Sequence, residues 1–356
     1  MKRLLTFVLA LAMVLCLFTG CGKDDGNAVA PDVNEGGLNK HEMVGGPVNP
    51  LTGEAVSENA SDLRPYCVMI NNHPSARPAV GLSQASIVYE ALAEGGLTRM
   101  MAVFTDVDGI TIGSIRSSRP YFISMAQAYD AVYVHAGGSE QAYSDIKTLG
   151  IDNIDGVRGS RPGEASSYYR DKTRLSEGRN LEHTLFAKGS DLASFAKNNY
   201  DLKHADSYDT SYGLSFSPDA VSQCSNTSTD FTVYYSGYST EFKYSSDKNC
   251  YNAFIGGDEY IDGGNNSSID FANVIVLNIP SQSVDSYGRQ AMEMTGSGSG
   301  YFFTGGKYVE INWARADRAD NFHYTLKDGT PLNLSVGKTF ISIAPLDKTD
   351  GLVFNA

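Results

Sequence analysis

The sequence predicts a mixed α+β fold, in which an α/β-type N-terminal domain is followed by a smaller β-rich C-terminal domain. Between Arg64 and Tyr212, short apolar runs alternate with segments that carry helix start and stop signals, as in layered strand–helix folds. After Asp230 the runs are all strand-like, and Gly-Gly or Asp-Gly pairs separate several of them, as in hairpins. At 356 residues the chain is long enough for two domains.

The N-terminal elements follow from apolar runs and from capping residues. Strands are predicted at 67–71, 87–89, 100–104, 112–115 and 131–135. Three helices are predicted, each with a capping serine: Ser118 before Pro120 and a helix to about Tyr129, Ser139 before a helix that Gly150 ends, and Ser190 before a helix through Asn199.

The C-terminal elements are predicted from strand patterns alone. They lie at 231–235, 241–244, 272–278, 301–304, 307–313, 323–326, 331–334 and 338–344. A mostly polar stretch, 213–229, separates them from the first set. The predicted organisation is therefore an N-terminal domain at 50–212, a linker at 213–229 and a C-terminal domain at 230–356.

The first 20 residues have the order of a secretory signal peptide. A basic start is followed by an apolar run from Leu4 to Phe18, then by the small residues Thr19 and Gly20. The end resembles a bacterial lipobox, with Phe18 where leucine is more common, and it predicts that Cys21 is acylated. The alternative is a plain membrane-spanning or buried helix, although about 20 residues are needed to span a bilayer.

Acylation of Cys21 predicts attachment to membrane lipid on the extracytoplasmic face of a bacterial cell. Two acyl chains hold a protein stably on a membrane, whereas one is marginal. Residues 21–49 are polar and rich in glycine and aspartate, so they predict a flexible tether. The net charge of −13, without a basic block, argues against a nucleic-acid partner.

Three cysteines remain once Cys16 leaves with the signal and Cys21 is acylated. Cys224 and Cys250 flank one β-rich stretch, and we expect them to form a disulfide in an oxidising compartment. Cys67 lies in a buried-strand pattern and is expected to pack as a small hydrophobic residue. The chain has no C-x-x-C pair and no phosphate-binding loop, so neither a metal nor a cofactor is predicted.

Two loops that join a strand to a helix carry the strongest candidate site. The predicted site residues are Arg116, Arg119, His135, Gly137, Gly138 and Ser139. Helix N-termini attract anions, glycines allow close approach of a ligand, and arginines bind carboxylate or phosphate in a bidentate manner. If the strands are neighbours, both loops face one crevice. In the alternative interpretation the serines only cap helices and the arginines pair with structural carboxylates.

Further candidate ligand-binding residues flank these loops. Asn71, His73 and Arg77 follow the first strand in a polar, proline-rich loop, which is either functional or a simple turn. Glu90 and Glu94 would share a face if their segment is helical, and could then act as acid and base or pair with Arg99. His73, His135 and His183 are dispersed along the chain, so no metal site is inferred from them.

Several of these motifs, in this order, resemble the YerB-like bacterial lipoproteins, a two-domain family of unknown function. The matching stretches are 68–74, 77–78, 81–82, 87–90, 94–96, 98–99, 116–120 and 133–139, with Trp313 and 337–339 in the second domain. The resemblance implies the fold and the location, but no activity. The family's Pro-His-Asn segment is here Leu181 to Thr184, so only His183 carries over.

The sequence leaves three hypotheses for function. The first is a tethered lipoprotein that binds an anionic cell-envelope ligand through the arginine- and glycine-lined cleft. The second is a cell-wall hydrolase that uses Glu90 or Glu94 with His135. The third is a docking or assembly lipoprotein whose β domain binds another protein.

Overall fold

The computed structural model describes residues 42–43, 46–56, 62–346 and 351–355. The predicted signal peptide, Cys21 and nearly all of the predicted tether therefore lie outside the described residues. Within the described ranges, no helix is both long and apolar enough to cross a membrane.

Strands make up most of the regular structure in the described ranges. The helices are α1 (Pro120–Ala128), α2 (Glu140–Leu149), α3 (Lys172–Ser176) and α4 (Gly189–Asn199). The strands are β1 (Glu42–Met43), β2 (Gly46–Pro47), β3 (Tyr66–Asn71), β4 (Ile87–Leu92), β5 (Thr98–Phe104), β6 (Thr111–Gly113), β7 (Val132–His135), β8 (Asn153–Asp155), β9 (Tyr168–Arg170), β10 (Leu185–Lys188), β11 (Asn226–Thr227), β12 (Asp230–Tyr234), β13 (Ser239–Ser245), β14 (Cys250–Ile255), β15 (Asp258–Glu259), β16 (Asp270–Phe271), β17 (Asn273–Asn278), β18 (Ser281–Ser283), β19 (Gln290–Met292), β20 (Gly296–Thr304), β21 (Lys307–Arg315), β22 (His323–Leu326), β23 (Thr339–Ala344) and β24 (Leu352–Phe354).

One large mixed sheet crosses the whole described chain. Its strand order is β11-β21-β20-β17-β23-β4-β5-β3-β7-β8, and β22 pairs with β21. The pairing of β4 with β23 is parallel and joins residues 87–91 to 339–343. Parallel pairing also links β3 to β7, β7 to β8 and β17 to β23, while β3, β4 and β5 pair antiparallel.

A second sheet and two helices cover the two faces of the large sheet. The second sheet has the order β15-β14-β13-β12-β24, with β16 on β14. One core lies on this side of the large sheet and includes Phe231 and Phe242. The other lies on the side of α1 and α2 and includes Phe122 and Ile146. A smaller sheet, β6-β10-β9, carries residues that reach the first core.

The central strands are apolar on both faces because both faces are covered. Every residue of β3 and β23 is buried. In β3, Val68 and Ile70 belong to the core beside the second sheet, whereas Cys67 and Met69 belong to the core beside the helices. Continuous apolar runs are expected for strands in this position. The prediction that Cys67 packs as a buried hydrophobic residue is confirmed.

The prediction of a mixed fold with a β-rich C-terminal part is confirmed, but the α/β assignment of the N-terminal part is not. The described chain is mixed and mostly strand, and the C-terminal part is β-rich. The α/β assignment of the N-terminal part is not confirmed, because its central strands β3, β4 and β5 pair antiparallel. The predicted linker, 213–229, contains β11, which is paired with β21. The division into domains stays a prediction, and the two segments share one sheet.

Two of the predicted helix caps are wrong and one is confirmed. Ser139 caps α2 by accepting a hydrogen bond from the Ala142 N–H, and Gly150 ends this helix in a left-handed conformation. Arg119, not Ser118, is the residue before α1; the Ser118 hydroxyl accepts a hydrogen bond from Tyr133 instead. Ser190 lies inside α4, which begins at Gly189.

The predicted disulfide between Cys224 and Cys250 is not formed, because both residues have free thiols. Cys224 packs in the core beside the helices, whereas Cys250 begins β14 and contacts Asn252. Burial raises the pKa of each thiol to about 11. Both thiols therefore stay protonated at neutral pH, the form that does not attack sulfur.

Candidate functional site

The two predicted loops lie side by side, although the strands before them, β6 and β7, belong to different sheets and are not the neighbours that the sequence argument assumed. Arg116 to Arg119 leads into α1, and Ala136 to Ser139 leads into α2. Backbone hydrogen bonds join them, from Ser118 N–H to the Gly137 carbonyl at 2.9 Å and from Ala136 N–H to the Arg116 carbonyl at 3.0 Å. The first loop is held against the end of β3 by a hydrogen bond from the Arg116 N–H to the Met69 carbonyl at 2.9 Å, and β3 pairs with β7, which leads into the second loop.

A cleft of about 350 Å³ opens beside these loops, and we call it the arginine cleft. Its lining includes Arg116, Ser117, Gly137, Gly138, Tyr143, Val157, Arg158, Arg170 and Glu182. Three guanidinium groups thus face a cleft whose lining contains a single carboxylate, Glu182. The structure brings the predicted residues Arg116, Gly137 and Gly138 together here.

Each arginine of the cleft is held by a partner. Arg116 pairs with Glu182 at 2.6 Å, and Arg158 pairs with Glu140 at 2.7 Å while its guanidinium lies 4.1 Å from the centre of the Tyr143 ring. Arg170 donates to the Leu181 carbonyl, and burial lowers its pKa. Since a guanidinium has five N–H donors, these contacts leave donors for a ligand.

Asp155 holds the loop from Ala136 to Ser139 in place through hydrogen bonds. Its carboxylate accepts hydrogen bonds from the Gly137 N–H at 2.8 Å, the Val157 N–H at 2.9 Å and the Tyr143 hydroxyl at 2.8 Å. Gly137 has a φ of +76°, a conformation that glycine adopts without strain. Because the Gly137 N–H is bonded to Asp155, the loop gives the cleft its shape, and the arginines supply the charge.

His135 supports the loop and does not line the cleft. It is fully buried, its Nδ1 lies 2.8 Å from the Gly137 carbonyl oxygen, and its Nε2 lies 3.1 Å from Asn153 Nδ2. A carbonyl only accepts hydrogen bonds, so Nδ1 carries the proton and Nε2 accepts. Burial lowers the pKa of His135, with Asp155 partly opposing this effect. His135 is therefore neutral, and it positions the Gly137 carbonyl.

Arg119 and Ser139 lie in a neighbouring cavity, so the predicted single site is divided. This cavity, of about 600 Å³, also includes Pro120, Glu140 and Met292 in its lining, and we call it the apolar pocket. Arg119 is bound to Glu94, which also accepts from Arg99 at 3.2 Å. Pairing with carboxylates was the alternative interpretation for the arginines, and both Arg116, bound to Glu182, and Arg119, bound to Glu94, have such a partner.

The buried Arg99 and the partly buried Glu94 support the loop from Arg116 to Arg119. Arg99 donates to the Ser117 carbonyl at 2.9 Å, and burial lowers its pKa to about 10. Burial alone would raise the pKa of Glu94, but the hydrogen bond from Arg119 and the charge of Arg99 hold it below its usual value. Arg99 lines neither cavity and instead holds the loop in place.

Asn71, His73 and His183 form a cluster that supports Glu182. The two imidazole rings stack with centroids 4.5 Å apart, and Asn71 Nδ2 donates to the Glu182 carbonyl at 3.0 Å and lies 3.1 Å from His183 Nδ1. Burial and the neighbouring His73 lower the pKa of His183. The cluster thus fixes the segment whose carboxylate reaches Arg116.

Arg77 lies away from both cavities. It donates to the Asn72 carbonyl at 2.9 Å, and its guanidinium lies 4.9 Å from the centre of the Tyr238 ring. Through these contacts, Arg77 connects the loop after β3 with the turn between β12 and β13 of the second sheet.

Glu90 is a buried structural group, which argues against the hydrolase hypothesis. The segment is strand β4, so Glu90 and Glu94 do not share a helix face, and the helical alternative is wrong. The Glu90 carboxylate accepts hydrogen bonds from Asn72, Thr98, Tyr235 and Thr240, at 2.6–3.0 Å. Fully buried Glu90 and fully buried His135 are each bonded to their own neighbours, and they do not converge on a solvent-accessible point.

Sequence analysis missed several residues of the cleft. Tyr143 comes from α2, while Arg158, Arg170 and Glu182 come from later segments, and the buried Asp155 supports the loop from beneath. One signal was available: five arginines lie between positions 158 and 179 of an acidic chain. Among the described residues, no three His, Cys, Asp or Glu side chains are grouped so that they could hold a metal ion.

Comparison with known proteins places this fold and cleft in a family of unknown function. The model described as "Protein of unknown function (DUF3048) N-terminal domain" matches residues 51–206, and the model of the C-terminal domain of the same family matches residues 231–341. Together they match most of the chain, which therefore belongs to the DUF3048 family.

Individual relatives agree with this assignment. The chain is 28% identical over 348 residues to the Bacillus subtilis (strain 168) protein named "Putative lipoprotein YerB", an alignment that covers 97% of this chain and 96% of the relative. The crystal structure of YerB from Bacillus subtilis superposes with a TM-score of 0.74 at 27% identity, covering 87% of this chain and 99% of that chain. The resemblance to YerB-like proteins is confirmed.

Proposed function

We propose that the protein is a lipid-anchored extracytoplasmic lipoprotein that binds an anionic cell-envelope ligand in the arginine cleft. The observation that carries the proposal is the local charge: Arg116, Arg158 and Arg170 line one cleft of a chain with a net charge of −13. Such a concentration of guanidinium groups attracts anions and orients them. Phosphate and carboxylate groups match the planar donor geometry of arginine.

The lipid anchor rests on the order of the first 21 residues and on the name of the Bacillus subtilis relative. We expect that Cys21→Ser abolishes incorporation of labelled fatty acid, because serine has no thiol to be acylated. Cys16→Ser is the matched control, since it changes a cysteine within the signal peptide and should leave labelling intact. Labelling of the Cys21→Ser protein at the level of the unmodified protein would contradict the proposal.

The cleft is tested by the binding of a small phosphate. The mature chain, residues 21–356 with serine at position 21, is titrated calorimetrically with glycerol 3-phosphate, a simple envelope-type phosphate monoester. We expect Arg116→Gln to weaken binding by about 1.5–3 kcal/mol, the value of a charge-assisted hydrogen bond. Binding by the unmodified protein should also weaken as salt is added, because the donors are charged and partly exposed.

Two further variants make the test specific. Glu182→Gln removes the carboxylate that competes for Arg116, so it should strengthen binding instead of weakening it. Lys243→Gln removes one exposed positive charge from β13 in the second sheet, and binding should be unchanged. Equal binding by the Arg116→Gln and Lys243→Gln proteins would exclude the cleft as the site. Absence of binding by the unmodified protein would contradict the proposal.

A further inference from the structure

The apolar pocket is the larger of the two neighbouring cavities, and hydrocarbon dominates its walls. It lies between the first turns of α1 and α2 on one side and the β18–β19 hairpin on the other. Pro120 and Tyr121 come from α1, while Ala291, Met292 and Met294 come from the hairpin and the chain that follows it. A volume of about 600 Å³ with apolar walls is typical of small-molecule sites.

The three arginines of the apolar pocket are each paired with a carboxylate, and the pocket also contains Glu293, whose carboxylate accepts hydrogen bonds from Thr295. Arg119 is paired with Glu94, Arg289 with Asp285 at 2.8 Å, and Arg318 with Asp145 at 2.9 Å. Glu140, at its rim, is paired with Arg158. The pocket therefore has no surplus positive charge to hold an anion by itself, and its walls suit the uncharged part of a ligand.

The apolar pocket and the arginine cleft meet at the first turn of α2. Gly138 lines the cleft, and the next two residues, Ser139 and Glu140, line the pocket. The ion pair between Arg158 of the cleft and Glu140 of the pocket crosses this boundary at 2.7 Å. Both partners are more than half exposed, so the pair is a weak barrier that a ligand can displace.

We infer that the two cavities together bind one amphiphile, with its phosphate or carboxylate group in the arginine cleft and its hydrocarbon chain in the apolar pocket. This inference rests on the proposed function and names the class of its ligand. It explains why the cleft keeps one guanidinium, that of Arg170, with no carboxylate partner among the described residues, whereas the arginines of the pocket are all paired. Burial of a chain adds affinity in proportion to the apolar area removed from water.

Three probes separate the contributions of the head group and the chain. Octyl phosphate has both, glycerol 3-phosphate has only the charged group, and octyl glucoside has the same chain on an uncharged head. With the mature chain described above, we expect octyl phosphate to bind about 100-fold more tightly than glycerol 3-phosphate, because several methylene groups leave water. It should also bind more tightly than octyl glucoside.

A variant that fills the apolar pocket locates the chain. Ala291 is exposed on β19 and faces the pocket, so Ala291→Trp should reduce octyl phosphate binding at least about tenfold through lost burial of the chain. Binding of glycerol 3-phosphate should not change. The matched control is Ala314→Trp, which places the same side chain at an exposed position of β21 that does not line the pocket.

The possible failures are distinguishable. If octyl phosphate and glycerol 3-phosphate bind with equal affinity, or if Ala291→Trp has no effect on octyl phosphate, the amphiphile inference is wrong and the proposed function stands. If the two octyl compounds bind equally and glycerol 3-phosphate does not bind, both the proposed function and the two-part ligand are wrong.

Discussion

Replacing Arg315 with methionine is expected to reduce the free energy of unfolding by about 3–5 kcal/mol. Arg315 ends β21, is 1% exposed, and donates four hydrogen bonds. These reach the backbone carbonyls of Ser124, Arg318 and Asp320 and the Ser124 hydroxyl, at 2.7–3.0 Å. Methionine retains the hydrocarbon volume but leaves these buried acceptors without a donor. Urea unfolding followed by circular dichroism measures the loss.

Arg318→Met is the matched control for this prediction. Arg318 lies three residues away, is 45% exposed, and pairs with Asp145 at 2.9 Å. The pair is exposed on the Arg318 side, and the 11% exposed Asp145 keeps a hydrogen bond from Gln141 at 2.7 Å, so this variant should lose only about 1 kcal/mol. Equal stability of the two variants would show that the buried guanidinium of Arg315 is dispensable for joining α1 to β21.

Arg315 also bears on the division of the chain into domains. It is in the C-terminal segment, whereas Ser124 is in α1 of the N-terminal segment. Glu90, in the N-terminal segment, likewise accepts hydrogen bonds from Tyr235 and Thr240 in the C-terminal segment. With β4 and β23 paired in one sheet, these contacts predict that the two family segments unfold together. Two separate unfolding transitions would instead support independent domains.

Local sequence signals predicted the elements near the site well. Apolar runs located β3, β5 and β7, because strands covered on both faces must be continuously apolar. The pair of Ser139 and Gly150 gave both ends of α2, because a capping hydroxyl and a left-handed glycine act within one turn of the helix. Ser118 was assigned by the same rule, but its hydroxyl is bonded to Tyr133, a tertiary contact that overrides the local preference.

The rest of the site depends on contacts with no local signal. Glu182 reaches Arg116 from 66 positions away, and Asp155 reaches Gly137 from 18 positions away. The assignment of Arg119 and Ser139 to a different cavity from Arg116 depends on the β18–β19 hairpin, which sequence analysis did not predict. The sequence could indicate which loops gather at the sheet edge, but not which side of α2 each side chain would face.

The second large effect is expected for Glu90→Ala, which should reduce the free energy of unfolding by about 3–5 kcal/mol. The four donors around the carboxylate lie in strands of both sheets or directly after them, and all four would lose a buried acceptor. Truncation also leaves a cavity between the two sheets. Glu241→Ala, which removes a partly exposed glutamate from the adjoining strand β13, is the control and should change stability little.

The Glu90→Gln variant tests how the ionisation of Glu90 affects stability at different pH values. Burial raises the pKa of Glu90 above its usual 4.5, and its hydrogen bonds oppose this only in part. The folded state therefore binds the proton more tightly than the unfolded chain, so the contribution to stability is complete below pH 4.5 and is lost as pH rises through the folded pKa. Glutamine is neutral at every pH, so Glu90→Gln should gain stability relative to the unmodified protein as the pH rises above 4.5. Urea unfolding at several pH values above 4.5 measures this difference in the free energy of unfolding. A difference that does not change with pH would show that Glu90 ionises in the folded protein at no cost. That result would contradict its role as a desolvated, structural carboxyl group.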